Sequence, residues 1–285
     1  MLAYRHAFHA GNHADVLKHL VLMLVLEHQN AKPKPYRLVD THAGPGGYAL
    51  LGRQASQHGE WRHGIGRLWT ELVLPPPLDR YVALVRRFNP DGELAQYPGS
   101  PAIARELLRP IDEFRAFELH RTERKVLGAY LAGDRRATLM EGDGFLGLRS
   151  QLPPPTRRGA VLMDPSYEGH GDYAKVVATL REAVSRFAAG TYVVWYPQVS
   201  KVEARELPRR LIGLATRTGA DWLHATLTVQ PSDARGYGLV GSGVFVINPP
   251  HTMDAALRPV MPRLARLLGQ HDRASSSLDA VSLGA

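Results

Sequence analysis

The sequence contains no cysteine among its 285 residues. This absence excludes a disulfide framework, a cysteine-ligated zinc or iron–sulfur site and a thiol nucleophile. It also excludes those enzymes that methylate C5 of a pyrimidine by attacking the ring with a cysteine. Any chemistry of this protein must therefore use oxygen and nitrogen groups.

Long hydrophobic runs are also scarce. The longest run, LVLMLVL at residues 20–26, is too short to span a bilayer. The residues that follow, EHQNAKPKP, do not have the pattern of a secretory cleavage site. We therefore expect a cytoplasmic protein that does not bind membranes. We also expect a monomer that needs no obligatory protein partner.

Positive charge exceeds negative charge. Lysine and arginine number 35 against 27 aspartates and glutamates, which gives a formal net charge of +8. A basic chain of this size favours a polyanionic partner, most simply nucleic acid, although many basic proteins bind no anion. Hydrophobic residues make up 44% and charged residues 22%, which is the balance of a globular protein with a proper core.

Short apolar segments alternate with helical patterns along most of the chain. This alternation predicts a mostly parallel sheet with helices on both faces. The last two strands are joined by the glycine-rich QPSDARGYGLVGSG, which favours an antiparallel pair. The prediction is an α/β fold with a Rossmann-like, seven-stranded methyltransferase sheet whose last strand is antiparallel. The predicted strands are residues 37–40, 116–119, 137–140, 160–164, 192–196, 224–229 and 244–248.

Residues 48–95 interrupt this alternation. Apolar residues recur there at helical spacing in two groups, one from Trp61 to Leu72 and one from Leu78 to Phe88. They predict a small helical insertion in a domain that comprises residues 1–47 and 96–270. We expect residues 271–285 to form a flexible tail. Arginines in the insertion form either a solvated face or a surface for RNA phosphates, namely Arg62, Arg67, Arg80, Arg86 and Arg87.

A glycine-rich turn, VDTHAGPGG, follows the first predicted strand. Glycines allow the backbone to approach a ligand closely, although a tight turn without a ligand has the same pattern. Glu118 and Asp143 follow the second and third strands. Their carboxylates suit the ribose hydroxyls and the exocyclic amine of an adenosine, but each is also compatible with a helix cap or a solvated loop. Together they lie at the strand ends where open α/β sheets bind ligands.

The tetrapeptide DPSY, residues 164–167, follows the apolar strand GAVLM. Enzymes that methylate exocyclic amines carry Asp, Asn or Ser, then Pro, Pro and an aromatic residue at this place. A carboxylate and a backbone carbonyl that accept the two amine hydrogens direct the nitrogen lone pair toward the methyl donor. The aromatic ring stacks on the base. These roles fall on Asp164, Pro165 and Tyr167, with Ser166 in place of the second proline.

Residues 1–30 form an N-terminal segment and a helix. We expect Asn12 to cap a helix from His13 to about His28, with Lys18 and His19 facing a ligand or RNA. Irregular spacing and the lack of cysteine argue against a metal site at the four histidines, and no metal is predicted. The histidines of this segment are His6, His9, His13 and His19.

The stretch YPGSPAIARELL predicts a second functional helix start. We expect Ser100 to cap this helix, with Pro101 in its first turn. Free N–H groups at such a helix start can bind a carboxylate, such as that of a methyl donor.

The chain resembles the RlmJ family of S-adenosylmethionine-dependent 23S rRNA adenine-N6 methyltransferases. The resemblance is carried by YRHAFHAGNHADVLKH, DTHAGPGG, YPGSP, FELH, DGF, DPSY, GTYVVWYP and GVFVINPP, and it covers nearly the whole chain except the C-terminal tail. It implies S-adenosylmethionine as cofactor and 23S rRNA as partner. The implied target is the adenine numbered 2030, unstacked to reach Asp164.

The resemblance also implies the roles of single residues. Asp164, Pro165 and Tyr167 are the implied catalytic residues. Contacts to RNA are implied for Tyr4, with His6 and Lys18 nearby. The implied cofactor contacts are His19, His42, Ser100, Glu118, Asp143, Gly144 and Asp164.

Three competing functions remain at this stage. One is a DNA adenine-N6 methyltransferase, and another is a non-catalytic RNA-binding module. The third, a nicotinamide-dependent oxidoreductase on the same sheet topology, is disfavoured because the glycine spacing differs from the dinucleotide fingerprint and DPSY would have no role.

Overall fold

The structure, a computed structural model, describes residues 6–169, 171–231 and 238–282. Tyr4 lies outside the described residues. The strands are β1 (Arg37–Asp40), β2 (Gly47–Ala49), β3 (Gln96–Pro98), β4 (Glu113–Phe117), β5 (Ala137–Met140), β6 (Gly159–Met163), β7 (Thr191–Gln198), β8 (Trp222–Thr228), β9 (Gly241–Ile247) and β10 (Ser275–Val281). The α-helices are α1 (His13–Asn30), α2 (Arg53–His58), α3 (Ile65–Trp69), α4 (Pro76–Arg86), α5 (Ser100–Leu107), α6 (Arg121–Leu131), α7 (Gly144–Gln151), α8 (Asp172–Arg186), α9 (Val202–Thr218), α10 (Met253–Leu257) and α11 (Val260–Leu268).

The main sheet has eight strands in the order β10-β8-β9-β7-β6-β1-β4-β5. Strands β7, β6, β1, β4 and β5 run parallel, whereas β9 lies antiparallel between β7 and β8. All seven predicted strands are therefore present, and the prediction that the last of them is antiparallel is confirmed. Strand β6 is buried at every position, as expected for a central strand covered by helices on both faces.

The expectation of a flexible tail is wrong, because residues 275–281 form β10. This strand pairs antiparallel with β8 over its whole length, from Ser275 opposite Thr228 to Val281 opposite Trp222. Its sequence, SSSLDAV, has little hydrophobic signal. A strand at the edge of a sheet pairs on one side only and can have one half-buried face, so it can form from a polar sequence. The hydrophobic pattern of the sequence therefore did not predict β10.

The insertion between β1 and β4 is helical, as predicted, and the two-stranded sheet of β2 and β3 closes its base. Its apolar residues, including Ile65, Leu68 and Tyr81, belong to the same hydrophobic core as α1 and the main sheet. The predicted apolar stripe ends earlier than expected. Leu72 is 98% exposed because α3 already ends at Trp69.

Helix α1 is buried on almost all sides, which is typical of a helix inside a large core. Asn12 caps it as predicted, since its side chain accepts hydrogen bonds from the backbone N–H groups of Ala14 and Asp15. Because α1 lies inside the core, the polar side chains of its first turns are in the centre of the protein. In the described ranges, no helix combines the length and apolar character needed to cross a membrane.

Candidate functional site

A cavity of about 650 Å³ lies at the carboxyl edge of the parallel strands. Its walls come from the loops that follow β1, β4, β5 and β6 and from the first turns of α1 and α5. This volume is within the usual range for small-molecule sites, and the position is where open α/β sheets bind ligands. The predicted site residues that the structure describes are grouped around this cavity although they are distant in sequence; Lys18 and Asp164, for example, lie 146 residues apart.

The loop after β1 is anchored by Asp40. Its buried carboxylate accepts hydrogen bonds from the Ser100 hydroxyl at 2.6 Å and from the His42 backbone N–H at 3.1 Å. Ser100 is therefore not the helix cap that we predicted. Gly99 holds that position, and the Ser100 side chain is turned toward Asp40 instead. This bond joins the loop after β1 to the start of α5.

Burial raises the pKa of Asp40 to about 7. The pKa of an unfolded aspartate is about 3.9, so this group stabilises the fold fully below that pH and loses its contribution as the pH rises through 7. We expect Asp40→Asn, which cannot ionise, to flatten the pH dependence of the free energy of unfolding between pH 4 and 7. The difference in slope should approach about 1.4 kcal/mol per pH unit. Urea denaturation of both proteins at several pH values measures it, and parallel curves would contradict the prediction.

Glu118, just beyond β4, joins two loops at the cavity wall. One carboxylate oxygen accepts a hydrogen bond from the backbone N–H of Gly44 at 2.8 Å, and the other accepts one from that of His120 at 2.6 Å. Gly44 has a φ of 64°, a backbone conformation that favours glycine. Burial raises the pKa of Glu118. A carboxylate has about four acceptor positions, so two remain for ligand hydroxyls.

Asp143 caps helix α7, because its Oδ1 accepts a hydrogen bond from the backbone N–H of Phe145 at 2.7 Å. The neighbouring Gly144 leaves no room for a side chain, since a Cβ atom there would lie 2.0 Å from the carbonyl oxygen of Thr41. Close backbone packing therefore shapes this wall. The Phe145 ring meets the His42 ring edge to face at 4.7 Å, and burial lowers the pKa of His42 to about 4.

His19 lines the cavity as a buried, neutral imidazole. Its Nδ1 lies 2.9 Å from the hydroxyl of Tyr97, which in turn lies 2.7 Å from the hydroxyl of Tyr81. Burial lowers the pKa of His19 to about 3. The two tyrosines come from the insertion and its closing strand, so the insertion helps to fix a residue of the predicted cofactor site.

Four polar side chains, those of His6, Asp15, Lys18 and Asp164, form a continuous chain of contacts along the cavity wall. The Lys18 ammonium lies 2.5 Å from Asp164 Oδ2 and 2.8 Å from Asp15 Oδ1. Nε2 of His6 lies 2.8 Å from Asp15 Oδ2. Sequence reasoning had not singled out Asp15. Its spacing of three residues from Lys18 on a predicted helix was the available signal.

This charge chain is buried and mutually stabilised. Burial works against the charge of Lys18, but Asp15 and Asp164 outweigh it and raise the pKa of the ammonium above its usual value. Burial likewise opposes ionisation of Asp15, yet His6 and Lys18 hold its pKa well below the usual range. Lys18 is therefore a permanent cation beside the predicted catalytic carboxylate rather than a surface group.

The DPSY loop is held from two sides. The hydroxyl of Tyr167 donates to the backbone carbonyl of Trp195 at 2.6 Å, and Lys201 donates to the carbonyl of Tyr167 at 3.1 Å. Tyr167 has a φ of 55°, which costs about 1–2 kcal/mol for a residue with a side chain. Its ring packs 4.5 Å from the ring of Tyr173. The predicted stacking of Tyr167 on a base stays a prediction.

Lys201 is expected to compensate for Ser166, which lacks the stiffness of a second proline. In Lys201→Met the carbonyl of Tyr167 loses its donor, and we expect the loop to become more mobile and methyl transfer to slow by about tenfold. Affinity for the methyl donor should change little. A second substitution, Ser166→Pro, should restore part of the rate. Single-turnover kinetics of wild type, Lys201→Met and Lys201→Met/Ser166→Pro measures this effect, and a wild-type rate in Lys201→Met would contradict it.

The N-terminal segment is tied to the insertion through Glu60. Its carboxylate lies 2.8 Å from Nδ1 of His9 and accepts a hydrogen bond from the Asn12 amide at 3.0 Å. The hydrogen bond to Glu60 raises the pKa of His9. The insertion therefore lines part of the cavity through Glu60 and also fixes the N-terminal segment.

The arginines of the insertion also contact protein groups, although Arg62, Arg80, Arg86 and Arg87 stay exposed, so their role as a solvated face or as a surface for RNA phosphates stays a prediction. Arg67 donates to two backbone carbonyls near the end of α11, including that of Gly269 at 2.6 Å. Arg80 pairs with Glu27. The remaining arginines contact protein groups as well: Arg62 covers the ring of Trp61, Arg86 donates to the carbonyl of Trp69, and Arg87 pairs with Glu106. They attach the insertion to the domain and stabilise its own turns.

The sheet order and the edge on which the cavity lies define a Rossmann-like, class I methyltransferase fold. The glycine-rich loop follows β1, the acidic residues follow β4 and β5, and the Asp-Pro tetrapeptide follows β6. The sequence model of the family described as "Ribosomal RNA large subunit methyltransferase D, RlmJ" matches residues 33–280, and the chain belongs to this family.

Individual relatives match over nearly their whole length. Ribosomal RNA large subunit methyltransferase J of Haemophilus influenzae is 43% identical over 270 residues, which are 94% of each chain. The protein of the same name from Escherichia coli is 43% identical over 265 residues, or 93% of each chain. The crystal structure of protein LPL1258 from Legionella pneumophila superimposes with a TM-score of 0.86 at 32% identity, covering 96% of this chain and 98% of that one.

Proposed function

We propose that the protein transfers a methyl group from S-adenosylmethionine to the exocyclic N6 of one adenine in 23S rRNA, the adenine numbered 2030. The observation that carries this proposal is Asp164, which opens the DPSY loop at the end of β6 and shares one cavity with the acidic and glycine-rich loops. The names of the relatives from H. influenzae and E. coli support ribosomal RNA of the large subunit as substrate. We further propose that the enzyme acts as a monomer in the cytoplasm.

The donor set around the cavity fits S-adenosylmethionine. Glu118 would bind the ribose hydroxyls through its two remaining acceptor positions. Gly144 and the cap residue Asp143 would bind the adenine ring, since both line the cavity. Ser100 and His42, both fixed by Asp40, and the buried His19 complete the proposed contacts. When bound, S-adenosylmethionine supplies an electrophilic methyl group.

Asp164 and Pro165 would activate the target amine. Lys18 contacts Oδ2 of Asp164, and no described group hydrogen-bonds to Oδ1, so this oxygen can accept one N6 hydrogen. The carbonyl of Pro165 would accept the other. Both bonds reduce delocalisation of the nitrogen lone pair into the base and orient it toward the methyl group. After transfer, the nitrogen carries one extra proton, which leaves through the carboxylate of Asp164 to solvent.

Lys18 would orient the carboxylate of Asp164 through its contact with Oδ2. Asp15 and His6 hold Lys18 in place from the other side. Tyr167, together with Trp195, would bound the plane of the flipped base. Tyr4 and His6 would contact the flanking RNA.

The test offers the enzyme S-adenosylmethionine with a labelled methyl group and one of three partners: 23S rRNA, adenine-containing duplex DNA, or no nucleic acid. We expect label only in the RNA, as N6-methyladenosine at a single mapped position. Changing that adenine to guanine should remove the signal. Preferential labelling of DNA would establish the alternative substrate, and labelling of neither would refute the proposal.

A further inference from the structure

A second cavity, of about 490 Å³, lies at the opposite edge of the sheet. Gly159 and Thr191, the first residues of β6 and β7, form part of its wall. Asp164 follows the other end of β6. With a rise of about 3.3 Å per residue, the five residues of this strand separate the two cavities by about 16 Å. This second cavity therefore takes no part in the methyl-transfer site.

The described lining of this cavity carries four cations and no carboxylate: Lys32, Lys34, Arg157 and Arg158. Like charges that line one cavity repel one another. The pKa of the neighbouring His28 reflects this environment, since burial and the nearby His251, Lys32 and Arg158 lower it. A bound anion would relieve this repulsion.

The loop of residues 31–35, with the sequence AKPKP, is held rigidly from its inner side. Arg109 donates to the carbonyls of Lys32 at 2.6 Å and Lys34 at 2.9 Å. Arg158 donates to the carbonyls of Gln29 at 2.9 Å and Lys34. The two prolines of the loop fix its φ angles. Two arginines are thus used to position a loop whose own lysine side chains stay exposed.

Lys32, Lys34 and Arg157 are exposed, and within the described ranges no carboxylate pairs with their side chains. Arg157 has a φ of 49°, a conformation that glycine or asparagine adopts more readily. A cation is therefore presented at a backbone position that disfavours a long side chain. Exposed cations without a carboxylate partner, carried on a loop whose backbone is anchored, are suited to bind an external anion.

We propose that Lys32, Lys34 and Arg157 bind the phosphate backbone of RNA segments that flank the target adenine. This inference rests on the proposed function as an rRNA methyltransferase. The three cations are exposed side chains from two separate loops that border one cavity, so together they can contact successive phosphates of one strand. A stacked strand rises by about 3.4 Å per nucleotide, so about five nucleotides span the length of β6.

The test compares wild type with the variant Lys32→Glu/Lys34→Glu/Arg157→Glu on two RNAs. One RNA is a short hairpin that carries the target adenine, and the other is a long 23S rRNA fragment that contains the same hairpin. We expect roughly tenfold weaker binding of the long fragment, and a log–log salt slope reduced by about 0.7–0.9 for each phosphate that is no longer bound. The kcat and KM for the hairpin should stay at wild-type values. Filter binding at several salt concentrations and methyl-transfer kinetics measure these quantities.

A matched control carries the same change in net charge elsewhere: Arg181→Glu/Arg209→Glu/Arg210→Glu, three exposed positions on α8 and α9. It should bind the long fragment like wild type. An equal loss of affinity in this control, or wild-type affinity and salt slope in the first variant, would overturn the inference. The neutral variant Lys32→Gln/Lys34→Gln/Arg157→Gln repeats the test without charge reversal, and thermal unfolding verifies the fold.

The two proposals can fail separately. If wild type methylates neither RNA, the proposed function is refuted. The ratio of RNA affinities between wild type and the two charge variants still shows whether Lys32, Lys34 and Arg157 bind RNA. If wild type methylates both RNAs and all variants bind the long fragment equally, only the second surface is refuted.

Discussion

Replacing Asp164 by alanine is expected to reduce the rate of methyl transfer by about 10²-fold or more. The carboxylate is the only acidic group of the DPSY loop, and its Oδ1 is the acceptor proposed for the target amine. Binding of S-adenosylmethionine should be retained in part, because the proposed contacts to ribose and adenine come from other loops. Lys18 keeps Asp15 as a partner, so the fold should survive. Single-turnover assays and calorimetry with the methyl donor measure the two effects separately.

A matched control for this experiment is Glu168→Gln. Glu168 also lines the cavity, four residues further along the chain, but it is exposed and has no proposed contact to the amine. Its turnover should stay within a few-fold of wild type. Near-wild-type turnover in Asp164→Ala would refute the mechanism. A similar decrease in both variants would mean that any negative charge in this region has the same effect.

Replacing Lys18 by methionine is expected to lower both stability and activity. The substitution leaves the buried carboxylate of Asp15, only 1% exposed, and that of Asp164, 16% exposed, without their shared cation. Removal of one partner from a buried ion pair costs about 3–5 kcal/mol. We expect a decrease in the free energy of unfolding at the lower end of this range, since Asp164 is partly solvated. Urea denaturation at pH 7 measures it.

A double-mutant cycle tests whether the loss of stability in Lys18→Met comes from the loss of the charge pair with Asp15. Asp15→Asn in the Lys18→Met background removes the buried charge that has lost its lysine partner and still leaves an acceptor for the Gly11 N–H, which Asp15 binds at 2.9 Å. We therefore expect the double variant to be more stable than Lys18→Met alone, with a coupling of about 1 kcal/mol or more. Additive effects would contradict the charge-pairing explanation. Lys175→Met, which changes a 56% exposed lysine, should cost less than about 0.5 kcal/mol.

The rate of methyl transfer should not follow the free energy of unfolding across these variants. The double variant no longer has a cation to orient Asp164, so its activity should stay low even where its stability recovers. A parallel recovery of activity would mean that Lys18 acts only through the fold.

Local patterns in the sequence determined the fold class and much of the site. The alternation of apolar segments and helical patterns predicted the parallel sheet. Residues 137–140, for example, form a strand with the predicted bounds. Asn12 caps α1 as predicted because capping depends on the backbone within one turn. Glu118, Asp143 and Asp164 line one cavity because parallel strands bring their carboxyl ends to one edge of the sheet.

The tertiary structure alone decided which of these groups interact. Lys18 and Asp164 are 146 residues apart in sequence, and Ser100 and Asp40 are 60 apart, so no local pattern could predict either contact. Both pairs form where burial removes water and leaves a charged or polar group with few available partners. Strand β10 depended in the same way on the open edge of β8, since its serine-rich sequence becomes a strand only where a row of backbone partners is already in place.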